Sequence, residues 1–201
     1  MIRVPPGRAG QVWLRRRLAT ARRGVDILSR KQRLLADERE RRLPLAAAAR
    51  AAWIQACTEA QRWSERSLRL GHRQQIALVV AELGSPATVS VAWHNVMAVS
   101  IPQTPECRFP DLRAAGAVGG SSATDQAISA LANAVVKAAE HAVIQRALVN
   151  IDRELLQTRR RLRLLERRRL PQLEQALAMS QERLEQSERE DTLRLRWARA
   201  R

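Results

Sequence analysis

The chain has 201 residues, of which 45% are hydrophobic, 28% charged and only 3% aromatic, and it carries a formal net charge of +16. So few aromatics, with no Tyr and Phe109 as the sole Phe, exclude a thick core of ordinary composition and suit a thin seam between long helices. So large a positive excess calls for an acidic partner, whether nucleic acid, an anionic membrane or an acidic protein cavity.

Pro5, Pro6 and Gly7 form a short non-helical lead. A helix is predicted from about Arg8, with Leu14, Leu18, Ala21, Val25, Leu28, Gln32 and Leu35 spaced alternately by four and three residues. Pro44 is expected to kink or break it, since proline lacks a backbone donor and clashes with the preceding turn. The pattern resumes at Ala46, Ala49, Trp53, Ala56, Ala60 and Trp63, which predicts one bent helix over about residues 8–70. From Thr88 the period changes to the alternation TVSVAWHNVMAVSIP, rich in β-branched residues. It reads as a β-hairpin over about 86–102 with His94-Asn95 at the turn. A loop is expected next, over Pro102, Pro105 and Pro110 and then Gly116, Gly119 and Gly120.

The second helical arm opens at SSATDQAISAL, with Ser122 as its cap and Asp125 three residues on. Ile128, Leu131, Val135, Ala138, Ala142 and Gln145 are expected to begin its stripe. Ile144, Leu148, Ile151, Leu155, Thr158, Leu162 and Leu165 continue it, and Leu170, Leu173, Leu177, Ser180 and Leu184 close it near residue 198. Arg167, Arg168 and Arg169 interrupt the pattern, and Pro171 sits inside it. Two seams far apart in one chain most simply pack on each other as an antiparallel coiled coil. The predicted fold is therefore α-dominated, with coiled-coil arms over 1–70 and 122–201 and a hairpin and loop region over 71–121. Such a rod reads as a mechanical or scaffolding part more than as a pocket-bearing enzyme.

The charge is unevenly placed. Residues 1–42 hold 13 basic and 4 acidic side chains, residues 146–201 hold 15 and 9, and residues 43–145 hold 8 and 7. The arms carry the excess. Cys57 and Cys107 read as free thiols of a reducing compartment, outside any metal-binding spacing. No apolar run of signal-peptide or membrane-spanning length is expected, with Ile76–Val80 the most apolar stretch. The chain is therefore expected to be cytoplasmic. His72, His94 and His141 are too scattered for a metal site. Gly119-Gly120-Ser121-Ser122 lacks the lysine of a phosphate loop. Glu182, Glu185 and Glu188 read as a solvated helix face. Neither a catalytic site nor a cofactor or metal is expected.

The segments LATARRGVDILSRKQRLL (Leu18 to Leu35), HNVMAVSIP (His94 to Pro102), GAVGGSSATDQAISAL (Gly116 to Leu131), RRLRLLERRRLPQLEQAL (Arg160 to Leu177) and SEREDTLRLR (Ser187 to Arg196) together resemble the D-subunit family of V/A-type (vacuolar/archaeal-type) rotary ATPases and ATP synthases. Gly24 falls at the family glycine and Lys31 at one family lysine, with Leu165-Glu166, Leu170-Pro171 and Leu173-Glu174 in register. Val25 and Ser29 depart from a usual histidine and lysine, and Arg163 from a usual asparagine. Arg167 to Arg169 stand where the family is usually apolar or aromatic.

The resemblance implies a non-catalytic central rotor shaft that couples proton or sodium flow through a membrane ring to ATP synthesis or hydrolysis. Its seam would be Leu14, Leu18, Ala21, Val25, Leu28, Leu35, Ile151, Leu155, Leu162, Leu165, Leu173 and Leu177. Arg15, Arg16, Arg17, Arg22, Arg23, Arg194 and Arg196 would face the catalytic and non-catalytic nucleotide-binding subunits of the head. Val89, Val91, Trp93, Val96, Met97 and Val99 would face a small globular stalk subunit, with a socket subunit on the membrane ring below. The shaft would be peripheral to the membrane, without inserting into it and without nucleic acid. Pro44 and Pro171 would supply its curvature. The alternatives left by the residues are a basic coiled-coil nucleic-acid binder and a generic adaptor.

Overall fold

The computed structural model describes residues 5–71, 73, 74, 77, 86–110 and 122–199. Its elements are α1 (Gly7–Arg69), β1 (Thr88–Val96), β2 (Val99–Arg108), α2 (Ser122–Leu164), a π-helical turn (Leu165–Arg169) and α3 (Leu170–Arg199). The fold is α-dominated with one small antiparallel sheet, and its long helices pair antiparallel.

The chain divides into two compact units, residues 1–34 with 155–201 and residues 35–154. In the first unit Arg8 meets Glu188 and Arg22 meets Glu174, at 2.8 and 3.0 Å. Leu14 and Leu18 pack on Leu173, with Trp13, Ala21, Leu170, Ala176 and Leu177 around them. In the second, Arg39 meets Asp152 at 2.7 Å, Trp53 stacks on His141 at 5.3 Å, and Ser67 hydrogen-bonds Thr124 at 3.0 Å. Within each unit, partners on the second arm fall in number as those on α1 rise, which is the signature of an antiparallel pair.

α1 runs 63 residues without a break at Pro44. Of the two expected effects of Pro44, a break does not occur, and one helix spans the region as expected. The series that starts at Leu14 stays in phase to Ser67, passing through Arg39, Arg42, Ala46 and Trp53, and each of its positions is buried or half-buried. Packing within the second unit on both sides of Pro44, at Leu35 and Ala46, offsets the single hydrogen bond that proline removes.

The inner face of α2 lies one residue away from the expected stripe. Ala123, Ala127 and Ala134 are buried, whereas Leu131 and Val135 are 50% and 41% exposed and Ala142 and Gln145 also face outward. Ala56 and Ala60 of α1 pack against Ala134 and Ala130. Small side chains let two helices approach closely, so alanine wins the seam here and the bulkier aliphatics are left outside. Apolarity alone pointed to the wrong face.

The hairpin is longer than expected and turns elsewhere. Val96 pairs with Val99, so the turn residues are Met97 and Ala98, both with positive φ (51° and 62°). His94 and Asn95 belong to β1, opposite Ile101 and Ser100. Pro102 and Pro105 lie within β2 rather than in a loop, opposite Trp93 and Val91 across a bulge. A two-stranded sheet has only edge strands, where a proline whose N–H would face solvent costs no ladder bond. Val99 and Ile101 are buried, and the Asn150 Nδ2 of α2 donates to the Ser100 carbonyl at 2.9 Å, tying the hairpin to the helix. Ser122 is already helical, with Asp125 in the first turn. The stretch Ile76–Val80 and Gly116, Gly119 and Gly120 lie outside the described residues apart from Ala77.

Candidate functional site

The seam of the first unit is built from leucines that side-chain spacing puts on one face. Leu14 and Leu173 are 0% and 1% exposed, and burying each fully is worth about 1.5–3 kcal/mol. Leu18 and Leu155 are buried as well in this unit, and Leu35 and Ile151 are buried in the second. Ala21, Val25, Leu28, Leu162, Leu165 and Leu177 are half-buried. Thr158 occupies a seam position with 0% exposure, and its hydroxyl has no hydrogen-bond partner among the described residues.

The seam of the second arm contains one irregular step. From Ile144 to Leu165 the inward positions are three or four residues apart, but Leu165 to Leu170 is five. The π-turn sits on that step, and the Leu170 N–H reaches back five residues to the Leu165 carbonyl. A π-turn holds one residue more than an α-turn, so it absorbs the extra residue and returns Leu173 to the seam. Pro171 follows directly and has no N–H to lend the turn before it. None of the five residues of the π-turn is buried. Opposite lies Gly24, where an added Cβ would stand 3.7 Å from Leu165 Cδ1.

Arg15, Arg16, Arg17, Arg22, Arg23, Arg194 and Arg196 are all exposed. Arg17 lies over the Trp13 ring at 5.0 Å, Arg22 pairs with Glu174 and Arg194 with Asp191 at 3.7 Å. Arg15, Arg16, Arg23 and Arg196 make no ion pair among the described residues. On the hairpin, Val89, Trp93 and Met97 are about half exposed, Val91 and Val96 are half-buried, and Val99 is buried and so not a free contact surface. The signal for the π-turn was present in the sequence as the five-residue step. Asn150 carried no such signal, since an asparagine on a helix surface looks like any solvated residue.

Among the described residues no group of His, Cys, Asp and Glu side chains could hold a metal ion. Cys57 and Cys107 are free. The helical run Ser122–Arg199 contains an 18-residue window apolar enough to cross a membrane by length and composition, 11% of it buried. The alanines of α2 and the leucines and valines left outside the seam account for that window.

These features define a class: long helices that pair antiparallel, with a two-stranded hairpin in the second unit and charged side chains on the outside. The sequence profile of the ATP synthase D subunit matches residues 11–200, and the chain belongs to that family. It is 31% identical to the D subunit of the V-type ATP synthase of Thermus thermophilus, over 98% of this chain and 87% of that protein. It is 30% identical to the V-type D subunit of a Thermoanaerobacter species, over 97% and 94%. It is 29% identical to the D subunit of the A-type ATP synthase of Archaeoglobus fulgidus, over 98% and 96%.

Proposed function

We propose that this chain is the central rotor shaft of a V/A-type ATP synthase, a component without catalytic chemistry of its own. It transmits torque between the nucleotide-binding head and the ion-translocating ring in the membrane. The observation that carries the reading is the ordered antiparallel pairing of the two arms, joined to a family match over nearly the whole chain. A helix pair resists twisting because each turn is held by its own backbone bonds and each seam layer by the facing helix. The exposed ion pairs add little to that stiffness, being open to water and salt.

On this reading the exposed arginines of the first unit meet carboxylates and carbonyls of the nucleotide-binding subunits, where the planar guanidinium binds two acceptors at once. Trp93 and Met97 of the hairpin meet the small stalk subunit, and a socket subunit joins the shaft to the ring. The chain is peripheral to the membrane. The direction of the cycle and the identity of the ion belong to other subunits.

The test is a tagged pull-down from native membranes, nuclease-treated and washed at moderate salt, with co-purifying proteins identified by mass. Recovery of two large nucleotide-binding subunits and a small globular subunit is the expected result. Recovery of nucleic acid or ribosomal proteins without those subunits would replace the shaft with a basic coiled-coil nucleic-acid binder.

A further inference from the structure

Like charges crowded on a narrow helix pair repel one another, and a partner of opposite charge relieves that repulsion. At the level of the turn, residues 22–26 and 163–169, all in the first unit, carry six basic and two acidic side chains. The π-turn lies at the end of this stretch. Arg167, Arg168 and Arg169 are exposed and make no ion pair among the described residues, and the same holds for Arg163 just before them. Gly24 fixes which part of α1 lies opposite the turn, and its neighbour Arg23 is likewise exposed and unpaired. Toward α3 the charge is already matched, because Glu174 takes Arg22. The unbalanced charge is thus a collar at the level of the π-turn.

Successive side chains on a helical turn point roughly 80–100° apart, so three consecutive arginines face three directions. A binding patch for one rigid partner would put its charges on one side, as at positions three and four apart. Arg163 and Arg167, four apart, share one side, while Arg168 and Arg169 carry the charge onward over about half of the helix circumference. The geometry points to a docking collar: Arg163 and Arg167–Arg169, with Arg23, engage carboxylate side chains on a protein wall that surrounds the chain, and present a positive face to that wall in more than one rotational position. The inference deepens the rotor-shaft reading and rests on it. It gives the arginines at the π-turn the role of an electrostatic bearing.

The test uses the full-length chain and the purified catalytic-head hexamer of the same organism. The dissociation constant is measured for wild type, R167Q/R168Q/R169Q and R167K/R168K/R169K in low and in moderate salt. The glutamine variant is expected to bind about tenfold or more weakly in low salt and to lose much of the salt dependence, because removal of exposed charges acts through screened attraction. The lysine variant is expected to keep the salt dependence without the full affinity, since lysine supplies charge but not the two-pronged contact. Circular dichroism should show equal helicity in all three. If wild type binds the head and the glutamine variant matches it in affinity and salt dependence, the collar is merely solvated while the shaft reading stands. If wild type fails to bind the head at all, both readings fall. If short duplex DNA binds the wild type and not the glutamine variant, and displaces it from the head, the collar is a phosphate site and the carboxylate assignment is overturned.

Discussion

Pro171→Ala is predicted to leave the π-turn in place. Two causes could produce that turn: the proline, which cannot donate, or the extra residue in the seam. Closing the turn to α-helix would rotate everything after it by roughly 100°. Leu173, now 1% exposed, would leave the seam, together with the half-buried Leu170 and Leu177. At about 1.5–3 kcal/mol for a fully buried leucine, and half that for each half-buried one, the loss would be roughly 3–6 kcal/mol. The gain would be one backbone hydrogen bond, about 1 kcal/mol. Phase therefore outweighs proline, and the alanine variant keeps the five-residue bond from the Leu170 N–H to the Leu165 carbonyl with stability changed by about 1 kcal/mol or less. A crystal structure of the variant and its thermal unfolding measure both. An uninterrupted α-helix through residue 171 with Leu173 still buried would refute the phase argument. Deleting Arg168 in the same background removes the extra residue, and the turn is expected to close.

Thr158→Val should stabilise the chain by about 1 kcal/mol or more, since it removes a buried hydroxyl that has no partner among the described residues; denaturant unfolding would show it. Gly24→Ala should stabilise by about 0.5–1 kcal/mol, because the new methyl meets Leu165 at ordinary contact distance and a helix interior favours alanine; a lowered melting temperature would contradict that. Met97→Asn with Ala98→Gly should strengthen the hairpin, as both positions have positive φ and suit those residues; slower amide exchange at Val96 and Val99 is the readout.

Long-range organisation was legible in the sequence because it rests on periodicity. The leucines from Leu14 to Leu35 and from Leu148 to Leu165 could pack productively only on a partner helix, and the β-branched alternation after Thr88 could not continue a helix. Detail failed where size or backbone shape outweighed apolarity. On α2 the rule that larger hydrophobes go inside chose Leu131 and Val135, whereas close approach of the helices chose Ala127 and Ala134. At the hairpin, propensity favoured Asn95 for the turn, but strand pairing placed Met97 and Ala98 there. The arginines at the π-turn read as an interruption of the pattern, although they mark the residue that the pattern has to absorb.

The inverted seam of the second unit bears on how a free copy of the chain behaves. Ile54, Leu131 and Val135 stand in solvent within residues 43–145, which are nearly neutral, while the excess charge lies on residues 1–42 and 146–201. Mutual repulsion between arms keeps separate molecules apart in dilute buffer. Added salt weakens that repulsion and leaves the attraction between apolar faces intact. A purified, unassembled chain should therefore self-associate as salt rises, the reverse of the usual remedy for a basic protein, and is best stored at low ionic strength.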